Sequence, residues 1–302
     1  MGRRLLNKMR KELKTKKTTM IAIADSGSTK TSWVISDKKG NVYNFKTIGF
    51  NPYFVTKEEV EKCMAEAFPK GIDSTEVTNV YFYGSGCSKC DNYAHLQDAL
   101  ATFFPKASIS IFSDMLGTAR AVLKREAGVA SILGTGSNSC FFDGNEITKS
   151  PVSLGYILGD EGSGATIGKN FIKQYLEGRF DTELTRQIQE ETGENITTVL
   201  NSVYKGEHPN RYLANFTKTI NKHIDHPQMQ ELMRQSFRDF FGNYVLIFPD
   251  YQKYRIGFCG SIAYHFSEIL LDELEKIGYT QNNILIINDV MPELLKYHLE
   301  AL

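Results

Sequence analysis

Residues 20–37 read MIAIADSGSTKTSWVISD and residues 128–144 read GVASILGTGSNSCFFDG. Each stretch is an apolar run, then a polar turn rich in Gly, Ser and Thr, then a second run of strand-forming residues. The first predicts a buried strand over Ile21 to Ala24, a tight turn, and a second strand over Trp33 to Ser36. The second repeats that order. The distance from Gly27 to Gly136 is far beyond the roughly 20 to 50 residues of a solenoid unit, so the repetition predicts two half-molecules from a duplicated domain.

Working outward, strands are expected at Val42 to Ile48, Val77 to Tyr83 and Ser108 to Phe112, with helices at about Thr56 to Phe68 and Asn92 to Phe104. Hairpin strands followed by α/β crossovers suit a mixed sheet with helices on its faces, not the unbroken βαβ alternation of a dinucleotide-binding domain. Residues 162–250 read as mostly helical, with an amphipathic run from Met229 to Phe248. Tyr254 to Cys259 and Ile284 to Ile287 read as strands and Met291 to His298 as a last helix. The expected organisation is α/β, with one domain over 20–112 and a second over 113–302 that carries the helical insertion. The last helix is a candidate to pack back on the first domain.

A chain of 302 residues suits two domains of this kind, and its 41% hydrophobic and 23% charged residues are those of an ordinary globular protein. No stretch approaches the roughly 20 apolar residues of a membrane helix, so no membrane partner is expected. The formal net charge of zero conceals an asymmetry. Residues 1–19 hold eight basic side chains (Arg3, Arg4, Lys8, Arg10, Lys11, Lys14, Lys16, Lys17) against the single acid Glu12. The remainder is therefore mildly acidic, which argues against nucleic acid as a partner. The leader has no hydrophobic run for secretion and is expected to be a disordered extension, with Met20 a candidate start. Five cysteines, an odd number scattered through apolar segments, do not make a secreted disulfide framework and suit a reducing cytoplasm.

The turn Asp25-Ser26-Gly27-Ser28-Thr29-Lys30-Thr31 puts a carboxylate at the end of a strand, followed by small residues whose backbone N–H groups can converge on phosphate oxygens. It lacks the Walker spacing, and alone it is equally an ordinary hairpin turn. Gly134-Thr135-Gly136-Ser137-Asn138 supplies a second such loop, as a two-lobed nucleotide site requires. Beyond it, Gly159-Asp160-Glu161-Gly162 places two acids among glycines at an expected helix start, where they are either caps or ligand contacts. Asp114, after the strand Ser108 to Phe112, is either a helix cap or a carboxylate at the carboxyl end of a strand, where α/β sheets bind ligands.

Over residues 20–302 the chain resembles the N-acetylglucosamine kinase-like and BadF/BadG/BcrA/BcrD-type ATPase branch of the actin-like ATPase, Hsp70 and sugar-kinase superfamily. The matching segments are Asp25 to Thr31, Gly134 to Asn138, Gly257 to Ser261 and the distinctive Gly159 to Gly162 run. The resemblance implies two actin-like ATPase (ribonuclease H-like) domains with a nucleotide and sugar cleft between them, using ATP and Mg²⁺. It implies phosphate contacts from Ser26, Gly27, Ser28, Thr29, Lys30 and Thr31 and from Gly134, Thr135 and Gly136, and adenosine contacts from Gly260 and Ser261. Asp25 takes the metal-positioning role, holding Mg²⁺ through water. Asp114 takes the role of catalytic base, accepting the sugar hydroxyl proton as the oxygen attacks the γ-phosphorus. Asn51, Asp114, Ser137, Asn138, Gly155 and Asp160 are the implied sugar contacts, with Asp160 a competitor for the base role.

The expected activity is therefore phosphorylation of an amino sugar, N-acetylglucosamine at O6. A homodimer is compatible with the sequence without being fixed by it. Two alternatives stand beside that reading. One is an ATPase activator of a CoA-ester dehydratase or reductase, with an iron–sulfur cluster held by Cys87 and Cys90 of two chains; otherwise these two are thiols of an ordinary loop. The other is a non-catalytic sugar sensor on the same fold. His208, His223 and His226 fall outside every motif and read as surface residues of the helical region.

Overall fold

The structure is a computed structural model that describes residues 20–27, 29–37, 39–88 and 93–301. The leader 1–19, Ser28 and Cys90, all singled out above, lie outside the described residues, as does Asn92. Among the described residues the chain forms two compact units, one running to Gly117 and taking in Met291 onward, the other Thr118–Val290.

The first unit contains β1 (Met20–Ser26), β2 (Lys30–Asp37), β3 (Val42–Ile48), α1 (Lys57–Ala67), β4 (Val77–Gly84), α2 (Ala94–Phe103) and β5 (Ser108–Ser113). Helix α3 (Asp114–Leu123) begins here and carries the chain into the second unit. The strands form one sheet in the order β3-β2-β1-β4-β5, with β1 antiparallel to β2, β2 to β3, and β1, β4 and β5 parallel. Side chains alternate across it with the period of two that strands impose. Ala22, Ala24, Trp33, Ile35, Val80 and Phe82 join one core with Val60, Met64, Leu96 and Leu100 of α1 and α2. Trp33 stacks on Phe45 with centroids 5.5 Å apart and donates its indole N–H to Thr47 Oγ1 at 3.2 Å. Helix α1 starts where the sequence expects, because Thr56 and Glu59 form a capping box: Glu59 N donates to Thr56 Oγ1 at 3.3 Å and Thr56 N to Glu59 Oε2 at 2.8 Å. Tyr81 and Tyr83, at the alternate positions of β4, meet the C-terminal helix Met291–Leu299. Tyr81 stacks on the His298 ring at 3.6 Å, and Tyr83 Oη lies 2.7 Å from His298 Nε2.

The second unit repeats the pattern. β6 (Gly128–Leu133), β7 (Ser137–Phe142) and β8 (Ile147–Lys149) precede the helical insertion, and β9 (Arg255–Cys259) and β10 (Ile284–Ile287) follow it. The sheet order is β10-β9-β6-β7-β8, again with β6 antiparallel to β7, β7 to β8, and β6, β9 and β10 parallel. Counted in chain order, and with the second sheet read from its β8 edge, both sheets run third, second, first, fourth, fifth. That is the duplication foreshadowed by the two hairpins.

The insertion comprises α4 (Gly155–Leu158), α5 (Gly164–Leu176), α6 (Thr182–Thr192), α7 (Ile196–Lys205), α8 (Pro209–Asn215), α9 (Thr217–Lys222) and α10 (Pro227–Tyr244). Helices α11 (Ser261–His265) and α12 (Ser267–Lys276) lie between β9 and β10. Met229, Met233, Phe237, Phe240 and Phe241 of α10 share one core with Val129, Leu133, Ile256 and Phe258 of the sheet. Glu273 of α12, 2% exposed, is held by Arg238 Nε at 2.9 Å, Arg234 Nη1 at 3.1 Å and Lys276 Nζ at 2.5 Å. These contacts hold the carboxyl down at about 2 against the opposing effect of burial.

Two histidines depart from the expected surface role. His226 is half-buried; its Nδ1 accepts from Gln228 N at 3.2 Å, capping α10, while Nε2 lies 2.9 Å from Asp181 Oδ2. His223, also half-buried, lies 3.3 Å from Glu191 Oε2. Among the described residues no helix is long and apolar enough to cross a membrane.

Candidate active site

In the first unit the singled-out residues gather at the carboxyl ends of β1, β4 and β5. The register sets Ser26, Gly84 and Ser113 side by side across these three parallel strands, with Asp25 one step behind and Asp114 one step beyond. This is the end of an α/β sheet where ligands bind.

The hairpin loop is built inward. Ser26 Oγ and Thr31 Oγ1 are 2.8 Å apart, both buried, and both receive the backbone N–H of Phe50, at 2.9 and 3.2 Å. Thr31 Oγ1 donates to Ile48 O at 2.9 Å. These hydroxyls carry the turn rather than project from it. Gly27, Thr29 and Lys30 are exposed, and Gly27 N closes the turn on Lys30 O at 3.1 Å.

Asn51 follows the buried Phe50. Its Oδ1 accepts from Tyr53 N at 3.0 Å, and its Nδ2 reaches Ser85 Oγ at 3.4 Å. Ser85 in turn donates its backbone N–H to Ser26 O at 3.0 Å. Ser85 thus joins Asn51 to the first loop, a role its sequence setting in Gly84-Ser85-Gly86 does not announce. Cys87 is a free thiol in the loop after β4, as expected, and it is buried; burial, with the charge of Asp114 adding, pushes it up to about 12.

Asp114 opens α3. The cap is Ser113, whose Oγ accepts from Leu116 N at 3.2 Å, while Asp114 Oδ1 accepts from Met115 N at 2.8 Å. Burial pushes the Asp114 carboxyl above the usual carboxylate range, opposed by hydrogen bonds from the Met115 and Asp114 backbone N–H groups. A carboxylate so placed is a stronger base than an exposed one.

The second unit gathers its own set. Gly134 O accepts from Gly164 N at 2.8 Å and Thr135 O from Ala165 N at 3.1 Å, so the first turn of α5 braces the loop. Ser163, not Asp160 or Glu161, caps that helix, its Oγ accepting from Thr166 N at 3.2 Å. The two acids lie in the turn before it. Ser137 Oγ donates to Glu161 O at 2.7 Å, and the Asp160 carboxylate accepts the Ser137 backbone N–H. A side-chain carbon at Gly136 would stand 3.0 Å from Asp160 Oδ2, so the missing Cβ is what lets the carboxylate approach. Burial raises the Asp160 carboxyl, opposed by that Ser137 bond.

Gly260 has φ +120°, and a Cβ there would come 2.4 Å from Leu133 O and 3.2 Å from Gly134 N. Gly134, Thr135, Gly136, Ser137, Asp160 and Gly260 are therefore brought together. Asn138 is half-buried, with Oδ1 on Ser139 N at 2.8 Å. Gly155 accepts Gly159 N at 2.8 Å, at the far end of α4, and Ser261 is exposed at the start of α11.

No protein-family model matches the chain. The crystal structure of a Porphyromonas gingivalis protein, provisionally assigned as an N-acetylglucosamine kinase, superposes with a TM-score of 0.86 at 38% identity over 93% of this chain and 99% of that one. The chain belongs to the N-acetylglucosamine kinase-like family. An N-acetylmuramic acid/N-acetylglucosamine kinase of Clostridium acetobutylicum is 28% identical over 215 residues, 65% of this chain and 68% of that protein. A Chromobacterium violaceum protein, also provisionally assigned as an N-acetylglucosamine kinase, matches with a TM-score of 0.65 at 16% identity, covering 93% and 99% of the two chains. That likeness shows the fold, and so does a match of TM-score 0.56 at 9% identity to a ROK family transcriptional regulator. The fold is thus the α/β architecture, with two five-stranded mixed sheets, of these N-acetylglucosamine kinase-like proteins.

Proposed function

We propose that the chain is an ATP-dependent sugar kinase whose substrate is an amino sugar, N-acetylglucosamine phosphorylated at O6. The observation that carries this reading is Asp114, a half-buried carboxylate at the carboxyl end of β5, raised by burial and separated from helix capping by Ser113. In this reading Asp114 accepts the proton of the sugar hydroxyl as it attacks the γ-phosphorus. Asn51, Ser137, Asn138, Gly155 and Asp160 bind the sugar, to which amide and carboxylate groups offer paired hydrogen bonds to adjacent hydroxyls. Gly27, Ser28, Thr29 and Lys30, with Gly134, Thr135 and Gly136, bind the phosphates, and Gly260 and Ser261 the adenosine. Ser26 and Thr31 shape the first loop from within.

One carboxylate, Asp25 at the end of β1, fits a Mg²⁺ that keeps most of its waters and binds chiefly through nucleotide phosphates. Such an ion supplies neutralisation of the charge that develops on the phosphates. Cys87 is buried, whereas a cluster shared by two chains needs its sulfurs at the surface, so it is a poor candidate for iron–sulfur ligation. The retained acids Asp25, Asp114 and Asp160 favour a kinase over a sensor.

The test is coupled ADP release with a panel of hexoses, hexosamines and N-acyl hexosamines, followed by identification of the phosphorylated hydroxyl. We expect turnover with N-acetylglucosamine and a 6-phosphate product. ATP turnover unchanged by every amino sugar would defeat the proposal.

A further inference from the structure

Tyr244 ends α10, 84 residues along the chain from Asp160, and donates nothing to the sequence motifs. It is buried, its ring stacked on Phe240 with centroids 5.1 Å apart. Its backbone carbonyl accepts the hydroxyl of Ser139, the residue after Asn138. Its own hydroxyl accepts the backbone N–H of Asp160 at 3.0 Å, and the Glu161 side chain lies within hydrogen-bonding reach of the same oxygen.

Asp160 needs such a partner. Among the described residues it is one of three non-glycine positions with positive φ, at 58°. For an L-residue that conformation costs on the order of 1 kcal/mol or more, so it persists only where the surroundings hold it. The peptide N–H here is buried, and left without an acceptor it would cost roughly 1–3 kcal/mol more. The Tyr244 hydroxyl supplies the acceptor. The turn so fixed sets the Asp160 carboxylate on Ser137 N and against Gly136.

We infer that Tyr244 is a positioning residue for the sugar site: its hydroxyl holds Asp160 in the left-handed turn that aims the carboxylate at the Gly134 to Asn138 loop. This rests on the reading that Asp160 contacts the sugar. The helical insertion, through its last helix, thereby sets substrate affinity without touching substrate.

The experiment compares the full-length protein with Tyr244→Phe, which keeps the ring and its stacking and removes only the hydroxyl. Steady-state kinetics should show the KM for N-acetylglucosamine raised about ten-fold, the scale of one lost buried hydrogen bond, with the KM for ATP unchanged. Hydrogen exchange in peptides covering 155–164 should accelerate. Glu273→Gln is the control: it loosens α10 from α12 at the Arg234 and Arg238 contacts, and should lower the melting temperature while leaving the sugar KM alone.

A folded Tyr244→Phe protein with an unchanged sugar KM overturns the inference. So does a Glu273→Gln protein whose sugar KM rises equally, because the effect is then general loosening. If the unmodified protein shows no sugar-dependent turnover, the kinase reading falls. Exchange in 155–164 then decides separately whether Tyr244 braces Asp160, and unchanged exchange overturns the brace.

Discussion

The two sheets have the same strand order and directions, yet their hairpin loops are held in opposite ways. In the first unit two side chains of the loop turn inward, Ser26 and Thr31, and both take the N–H of Phe50. In the second the backbone carbonyls turn outward to the start of α5, and the side-chain work passes to Ser137 and Asp160. The fifth strands differ as well: β5 is followed by Asp114 and β10 by Asn288. A duplicated scaffold has thus diverged, one unit carrying the carboxylate proposed as the base and the other a buried acid against a glycine loop.

The largest effect should come from erasing that division. Asp114→Asn gives the first unit the amide that follows the fifth strand of the second. We expect kcat to fall by about 10²–10⁴-fold, with sugar binding still measurable by calorimetry. Stability should move the other way. The Asp114 carboxyl is raised in the folded state, so its contribution is fully present below the unfolded pKa and is lost as pH rises through the folded value. At neutral pH the buried carboxylate therefore costs stability, and the Asn variant should melt higher there. The advantage should fade as pH falls through the raised folded value and be gone below the ordinary Asp value of about 3.9. An Asn variant with full activity would move the base role elsewhere, Asp160 first.

Next in size is a contrast between glycines. A Cβ on Gly260 would sit 2.4 Å from the Leu133 carbonyl oxygen on a backbone with φ +120°, whereas one on Gly27 would find nothing nearer than Lys30 O at 4.0 Å. Gly260→Ala should cost about 3 kcal/mol or more. Gly27→Ala should stay within about 0.5 kcal/mol. Chemical denaturation of both variants checks this, and equal losses would mean that the two loops are not held differently.

Much of this scheme was legible in the sequence. The hairpins showed as apolar and polar runs around glycine-rich turns, and α1 was expected from about Thr56, the residue that caps it. What escaped were features fixed by distant parts of the chain. β8 has three residues, too few for an alternation to register. Ser26 and Thr31 looked like phosphate ligands because nothing local reveals that Phe50 N needs them. For Asp160 and Glu161 the sequence left helix capping open beside ligand contact, because nothing local shows that Ser163 is the cap. Tyr244 read only as part of an amphipathic face, since its hydroxyl meets a partner 84 residues away.

The smallest effect is also the sharpest test of the inward loop. Ser26→Ala and Thr31→Val should each cost about 1–2 kcal/mol, because Phe50 N keeps one acceptor in either case. Two effects then compete in the double variant. The Ser26–Thr31 hydrogen bond is lost in both single variants but only once in the double, which makes the double cheaper than the sum. Against this, Phe50 N, on a fully buried residue, loses its last acceptor, and an unsatisfied buried N–H costs roughly 1–3 kcal/mol. The second effect is the larger, so the double variant should exceed the sum of the singles by about 1 kcal/mol. The second loop is braced in part by the N–H groups of Gly164 and Ala165, which side-chain substitution does not remove. A double variant at or below the sum would mean that water reaches Phe50 N, and that the first loop is open where the hydrogen bonds make it closed.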